Sequence, residues 1–106
     1  MQILATETLK QLPASILPRL IAIFASTTPE LLVEIQQTAT NNDLHGMAQA
    51  AHKLKGSCVS LGAEKMADLC KTLQDKGESN DAVDISAYIE ELNKLYPVTL
   101  ATMQNL

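Results

Sequence analysis

Aromatic residues are nearly missing from this 106-residue chain, which has two Tyr, one Phe and no Trp. Its 46% hydrophobic content is therefore carried mainly by Leu, Ala, Ile and Val, and helix-forming types dominate. Glycine and proline are scarce as well, at four each. A fold of many short strands needs more turn residues than that, which excludes an all-β architecture. The longest apolar run, residues 20–25, is far shorter than the ~20 residues needed to cross a bilayer. With no signal peptide in view, the chain is expected in the cytoplasm, away from membranes. The two cysteines, Cys58 and Cys70, fall at apolar helical positions and read as buried thiols. No Gly-rich phosphate loop and no G-x-G-x-x-G is present, so nothing here suggests ATP binding. Cations are outnumbered, eight Lys and Arg against twelve Asp and Glu, giving a net charge of −4. That balance argues against general nucleic-acid binding.

What remains is an amphipathic helical pattern. No repeat, linker or low-complexity tract interrupts it, so residues 1–106 read as one domain, large enough for a core of its own. Residues 3–12 suggest a short helix ending at Pro13. Ile16, Leu17, Leu20, Ile21 and Phe24 then follow helical spacing. Thr28-Pro29-Glu30 reads either as a new start, with Thr28 as N-cap and Pro29 at the first position, or as a kink inside one long helix. Leu31, Leu32, Ile35 and Ala39 supply the next stripe, which Asn41-Asn42 ends. Asp43 is the expected N-cap of a central helix from Leu44 to about Leu61, closed by Gly62 in the left-handed conformation. A further helix spans 63–76, with Met66, Leu69, Cys70 and Leu73 on one side, and residues 77–81 read as a polar loop. The last helix runs from about Val83 to Met103, with Pro97 expected to kink it or end it early. Short loops between amphipathic helices make antiparallel neighbours. The expected fold is all-α: an antiparallel up-down four-helix bundle with an additional short N-terminal helix, its core bundle spanning about residues 28–104.

The most informative segment is Ala50-Ala51-His52-Lys53-Leu54-Lys55-Gly56-Ser57. Residues three and four apart on a helix are neighbours, so Lys55 and Gly56 flank His52. At about 100° per residue, with His52 at zero, Leu44, Met47, Ala51, Leu54, Cys58 and Leu61 cover roughly 180° to 280°, the buried stripe. His52 lies on the opposite side. Ala48, Val59 and Gly56 fall within about 40° of it, with Gln49 near 60° and Lys55 near −60°. This face is exposed by pattern, yet lined by small or apolar residues. Gly56 in a helix interior costs roughly 1 kcal/mol against Ala; close approach of another molecule would offset that.

Charge adds to the picture. Between Lys53 and Lys76 there are five cations against three carboxylates, net +2, and elsewhere three against nine, net −6. His52 thus sits in the only basic stretch of an acidic protein, which steers an acidic partner towards it. A neutral imidazole is a good nucleophile near pH 7. Attack on a phosphoryl group would give a phosphohistidine whose oxygens Lys55 can meet as a mobile point charge. Phosphoryl transfer rests mainly on positioning and electrostatic stabilisation. The missing parts, a carboxylate acceptor and Mg²⁺, would have to come from a partner, which points to a passive carrier with no cofactor of its own.

Ala51-His52-Lys53-Leu54-Lys55-Gly56-Ser57, followed by Leu61-Gly62-Ala63, closely resembles the signature of histidine-containing phosphotransfer (HPt) domains of bacterial two-component phosphorelays. Phe24, Pro29-Glu30-Leu31-Leu32 and Asn42-Asp43-Leu44 look similar too, and the likeness is sharp over about residues 20–76. The resemblance implies that His52 is the phosphoacceptor, that Lys55 contacts the phosphoryl oxygens and that Gly56 keeps the site open. It implies a monomer that docks on receiver domains of a hybrid sensor kinase or response regulator, whose acceptor is an aspartate beside Mg²⁺. A polar side chain on the following helix often assists in this family, and here Lys65, Asp68 and Thr72 are the candidates. Docking is expected to use Ala48, Gln49, Lys53 and Val59, with Leu44, Leu20 or Ile23 extending the patch.

Three other readings compete. A purely structural or adaptor bundle would share the fold without phosphotransfer. A metal site drawing on His45, His52, Cys58 or Cys70 lacks any C-x-x-C or H-x-x-x-H spacing, so no metal is expected. The dimerisation domain of a histidine kinase would follow its histidine with an acidic residue, where this chain has Lys53.

Overall fold

The computed structural model describes all of residues 1–106. It consists of five helices: α1 Thr6–Lys10, α2 Leu17–Thr40, α3 Leu44–Ser60, α4 Glu64–Glu78 and α5 Ile85–Gln104. The last four close a ring in which α3 and α5 each pack against both α2 and α4. The body measures 41 × 25 × 20 Å, and α2, rising about 1.5 Å per residue, runs most of its long axis. The expected four-helix bundle with a short extra N-terminal helix is therefore the fold observed.

Three helix ends share one device. Asn42, Gly62 and Asn80 adopt φ of 58°, 73° and 54°, one residue beyond the C-caps of α2, α3 and α4. The next amide in each case reaches back to satisfy an orphan carbonyl: Asp43 N–H to Thr38 O at 2.8 Å, Ala63 N–H to Cys58 O at 2.8 Å and Asp81 N–H to Lys76 O at 2.8 Å. This is the Schellman pattern. Asp43 then caps α3, its carboxylate accepting from Gly46 N–H at 3.0 Å. The expected polar loop at 77–81 begins later than its glycine suggests. Gly77 lies inside α4 and is buried, because Asn80 rather than Gly77 takes the left-handed position.

Of the two alternatives left open for Pro29, the structure takes the one that places it inside a single long helix. Pro29 neither starts a helix nor breaks one, and α2 is continuous from Leu17. The bundle therefore extends well before residue 28, with Phe24 only 1% exposed. A proline removes the amide that would bond the carbonyl four residues earlier, here that of Ala25. The Tyr96 hydroxyl donates to Ala25 O at 3.3 Å instead, and the Tyr96 ring packs on Phe24 with centroids 5.7 Å apart. Thr28, one reading's N-cap, is fully buried in mid-helix with its hydroxyl unpaired. Pro97 likewise sits inside α5, which continues to Gln104. It lines the same α2–α5 groove as Pro29 and Tyr96.

The N-terminal segment closes one end of the ring. Ala5 N–H donates to Gly62 O at 2.7 Å, Lys65 N–H to Gln2 O at 3.1 Å and Gln2 N–H to Glu64 Oε1 at 3.1 Å. Leu4 and Leu9 are buried beneath it. At the other end, Asp81 accepts from Val83 N–H at 2.9 Å and from Lys76 Nζ at 3.2 Å. Those two donors, Val83 first, hold its carboxyl below the ordinary range.

Candidate functional site

The buried arc read from α3 is the one observed. Leu44, Met47, Ala51, Leu54, Cys58 and Leu61 are each 8% exposed or less, and His52 stands on the opposite, exposed side. Register with α4 is set by a close approach. A Cβ placed on Gly77 would collide with Leu44 O and lie 2.7 Å from Ala48 Cβ. With Gly77 fixed there, one turn along α3 and one turn back along α4 bring His52 against Gln74.

His52 Nδ1 and Gln74 Oε1 are 3.2 Å apart. An amide oxygen only accepts, so this contact is a hydrogen bond in the tautomer that carries its hydrogen on Nδ1. The lone pair of the neutral ring is then on Nε2, which has no hydrogen-bond partner within the chain. The groove beside the ring is lined by His45, Ala48, Gln49, Lys53, Gln74 and Glu78. Gly56, one turn on, has nothing within 4 Å of where a Cβ would stand. The imidazole is thus contacted on one side by Gln74, with open space at Gly56 one turn along α3.

Three of the eight cations are in ion pairs. Lys71 pairs with Asp75, Lys76 with Asp81 and Lys94 with Glu90. Lys53 and Lys55, on α3, make no ion pair and keep their charge available beside His52. Lys55 is half-buried and lines the neighbouring groove with Val59, Asp68 and Lys71, one turn beyond the imidazole.

Several expectations need correcting. Ala48 is only 3% exposed and presents little docking surface. The helical wheel places it near His52, but the missing side chain at Gly77 lets the α4 backbone cover it. Leu44, 8% exposed, is buried for another reason: it lies on the apolar arc of α3 and joins the core. Gln49 and Lys53 are exposed, as are Val59 at 62% and Ile23 at 57%, while Leu20 is half-buried. None of the three residues considered on α4 is the partner of the ring. Lys65 and Asp68 line a groove with Met1 and Leu95, and the Thr72 hydroxyl bonds its own helix at Asp68 O. Gln74 was missed. The signal that finds it is the pairing of Gly77 with Ala48, which a single helix does not display.

Cys58 and Cys70 are free and buried. The hydrogen bond its own thiol donates to Cys70, then burial, then charge repulsion from Cys70 push the Cys58 thiol far above its ordinary range, which leaves it inert as a nucleophile. No group of three or more His, Cys, Asp or Glu side chains converges, and no helix is long and apolar enough to cross a membrane.

Comparison with known proteins agrees with this geometry. Residues 19–101 match the family model described as the Hpt domain. Over 72 residues, 68% of this chain, the sequence is 31% identical to the phosphotransferase RcsD of Escherichia coli K12, of which the match covers 8%. The fold superimposes with a TM-score of 0.90 on the crystal structure of histidine-containing phosphotransfer protein B (HptB) from Pseudomonas aeruginosa PAO1. That alignment covers 97% of this chain and 92% of the other at 20% identity.

Proposed function

Because this chain belongs to the Hpt domain family, whose members carry phosphoryl groups on histidine in two-component phosphorelays rather than acting as kinases, we propose that His52 is its phosphoacceptor. In this reading the donor is the aspartyl phosphate of a receiver domain, and a second receiver aspartate is the destination. Nε2 attacks phosphorus, the bond to the carboxylate oxygen breaks, and the aspartate leaves as a free carboxylate. The Nδ1 proton stays where it is, and as the ring gains positive charge the Gln74 oxygen stabilises it. Lys55 meets the transferred oxygens, and Gly56 leaves them room. Mg²⁺ and both aspartates belong to the partner. Gln49, Lys53 and Val59 serve as docking contacts, and the domain works as a cytoplasmic monomer.

The observation that carries this reading is the setting of the ring: Nδ1 lies 3.2 Å from the Gln74 oxygen, Nε2 has no hydrogen-bond partner within the chain, and His52 is exposed near an unobstructed glycine. Incubation with a phosphorylated receiver domain tests it by intact mass. One phosphate should be gained, lost in acid, and absent from His52→Gln. Lys55→Ala should accept the phosphate about tenfold more slowly, the equivalent of one charge-assisted hydrogen bond, with its unfolding midpoint unchanged. A wild-type rate for Lys55→Ala would remove that lysine from the site. Phosphate still gained by His52→Gln would move the acceptor elsewhere.

A further inference from the structure

Beyond His52 and Gln74, we propose that Glu78 is a positioning residue: it sets which way the Gln74 amide faces, and thereby which nitrogen of His52 is free to react. The inference rests on the reading of His52 as nucleophile. Gln74 Nε2 donates to Glu78 Oε1 at 3.0 Å, one turn along α4, while Gln74 Oε1 faces His52 Nδ1 at 3.2 Å. The amide therefore lies between an ionised carboxylate, which only accepts, and an imidazole nitrogen, which can donate or accept according to tautomer.

Only one of the two amide orientations suits both neighbours. If the amide turned over, its oxygen would face the carboxylate, acceptor against acceptor. Its NH₂ would then donate to a bare Nδ1, and the ring hydrogen would move to Nε2. The outward nitrogen would carry a proton and have no lone pair for phosphorus. In water, neutral imidazole side chains favour that unproductive tautomer, so the productive one has to be imposed. The carboxylate imposes it through the amide, and the working fraction of the protein scales with that bias.

Glu78 has few distractions. Lys53 lines the same groove but forms no ion pair with it, the paired lysines being 71, 76 and 94. Glu78 is exposed, so its influence is that of a single solvated hydrogen bond. Its loss should lower the rate of phosphoryl acceptance by about threefold to tenfold. A lysine there would attract the amide oxygen instead and invert the bias, so Glu78→Lys should be slower still.

The test is the tautomer of His52 in the unphosphorylated protein, read from long-range ¹H–¹⁵N correlations of the imidazole, together with the rate of transfer from a phosphorylated receiver. Wild type should show the hydrogen on Nδ1. Glu78→Ala should shift it towards Nε2, and Glu78→Lys further, with transfer slowing in the same order and helix content unchanged. Glu78→Gln, which keeps an acceptor but no charge, should restore part of both readouts. Overturning results are an Nε2–H tautomer in wild type, a tautomer ratio indifferent to position 78, or a shifted ratio with an unchanged rate. A surface pair that only steadies α4 would give the second of these. The tautomer measurement needs no phosphate, so its failure is distinct from a failure of His52 to accept a phosphoryl group.

Discussion

Gly77→Ala is expected to destabilise the bundle by about 2 kcal/mol, against the usual trend for a glycine inside a helix. Alanine normally gains up to ~1 kcal/mol there through helix propensity. At this position the new methyl group would run into the Leu44 carbonyl and lie 2.7 Å from Ala48 Cβ and 3.2 Å from Ala48 N. Two of those three atoms are backbone, so rotamer changes give no relief and α3 and α4 must move apart. Overpacking of this kind costs about 1–3 kcal/mol, and a collision with main chain belongs at the upper end. Urea unfolding reads the stability change. Because Gly77 and Ala48 lie one turn from Gln74 and His52, the same wedge should lengthen the 3.2 Å contact between those side chains and slow phosphoryl transfer. A variant as stable as wild type would show that the α3–α4 spacing is not set by this contact.

Gly56→Ala is expected to behave in the opposite way. No atom lies within 4 Å of the added Cβ, so the fold should accept it and gain about 0.5–1 kcal/mol from propensity. The methyl group would stand one turn from the imidazole, in the space through which a receiver's phosphoryl group and its surrounding backbone must come. Displacing reacting atoms by about 1 Å costs on the order of a hundredfold in rate, and that is the loss expected in transfer from a phosphorylated receiver. The combination of a higher unfolding midpoint with a much lower transfer rate separates a site that is kept open from one that is merely loosely packed. Unchanged transfer would mean that the approach path lies elsewhere.

These two glycines also show what a single sequence can and cannot reveal. The apolar arc of α3, the Asp43 cap and the Gly62 terminator depend on residues within a turn or two of one another, and all are legible directly. Gly56 is legible too, because its angle places it off the arc. Gly77 is not. Read locally it is a breaker, whereas its role depends on Leu44 and Ala48 across the bundle, and the helix is ended three residues later by Asn80. The same limit hid Gln74, whose partner is 22 residues away, and misjudged Ala48, since a wheel drawn for one helix does not show how far the next one reaches over it. Pro29 was ambiguous for a related reason. The carbonyl that Pro29 leaves without its helical partner is met by a hydroxyl 71 residues from Ala25 in sequence.

The central claim is that the outward nitrogen of His52 takes the phosphoryl group. The most direct measurement is ³¹P and ¹⁵N NMR of the chain, labelled in its histidines and phosphorylated by a receiver domain. One phosphorus coupled to Nε2 of His52, with Nδ1 still protonated, is the predicted result. Phosphate on Nδ1 or on His45, or no phosphate gained by a well-folded chain, would contradict the account.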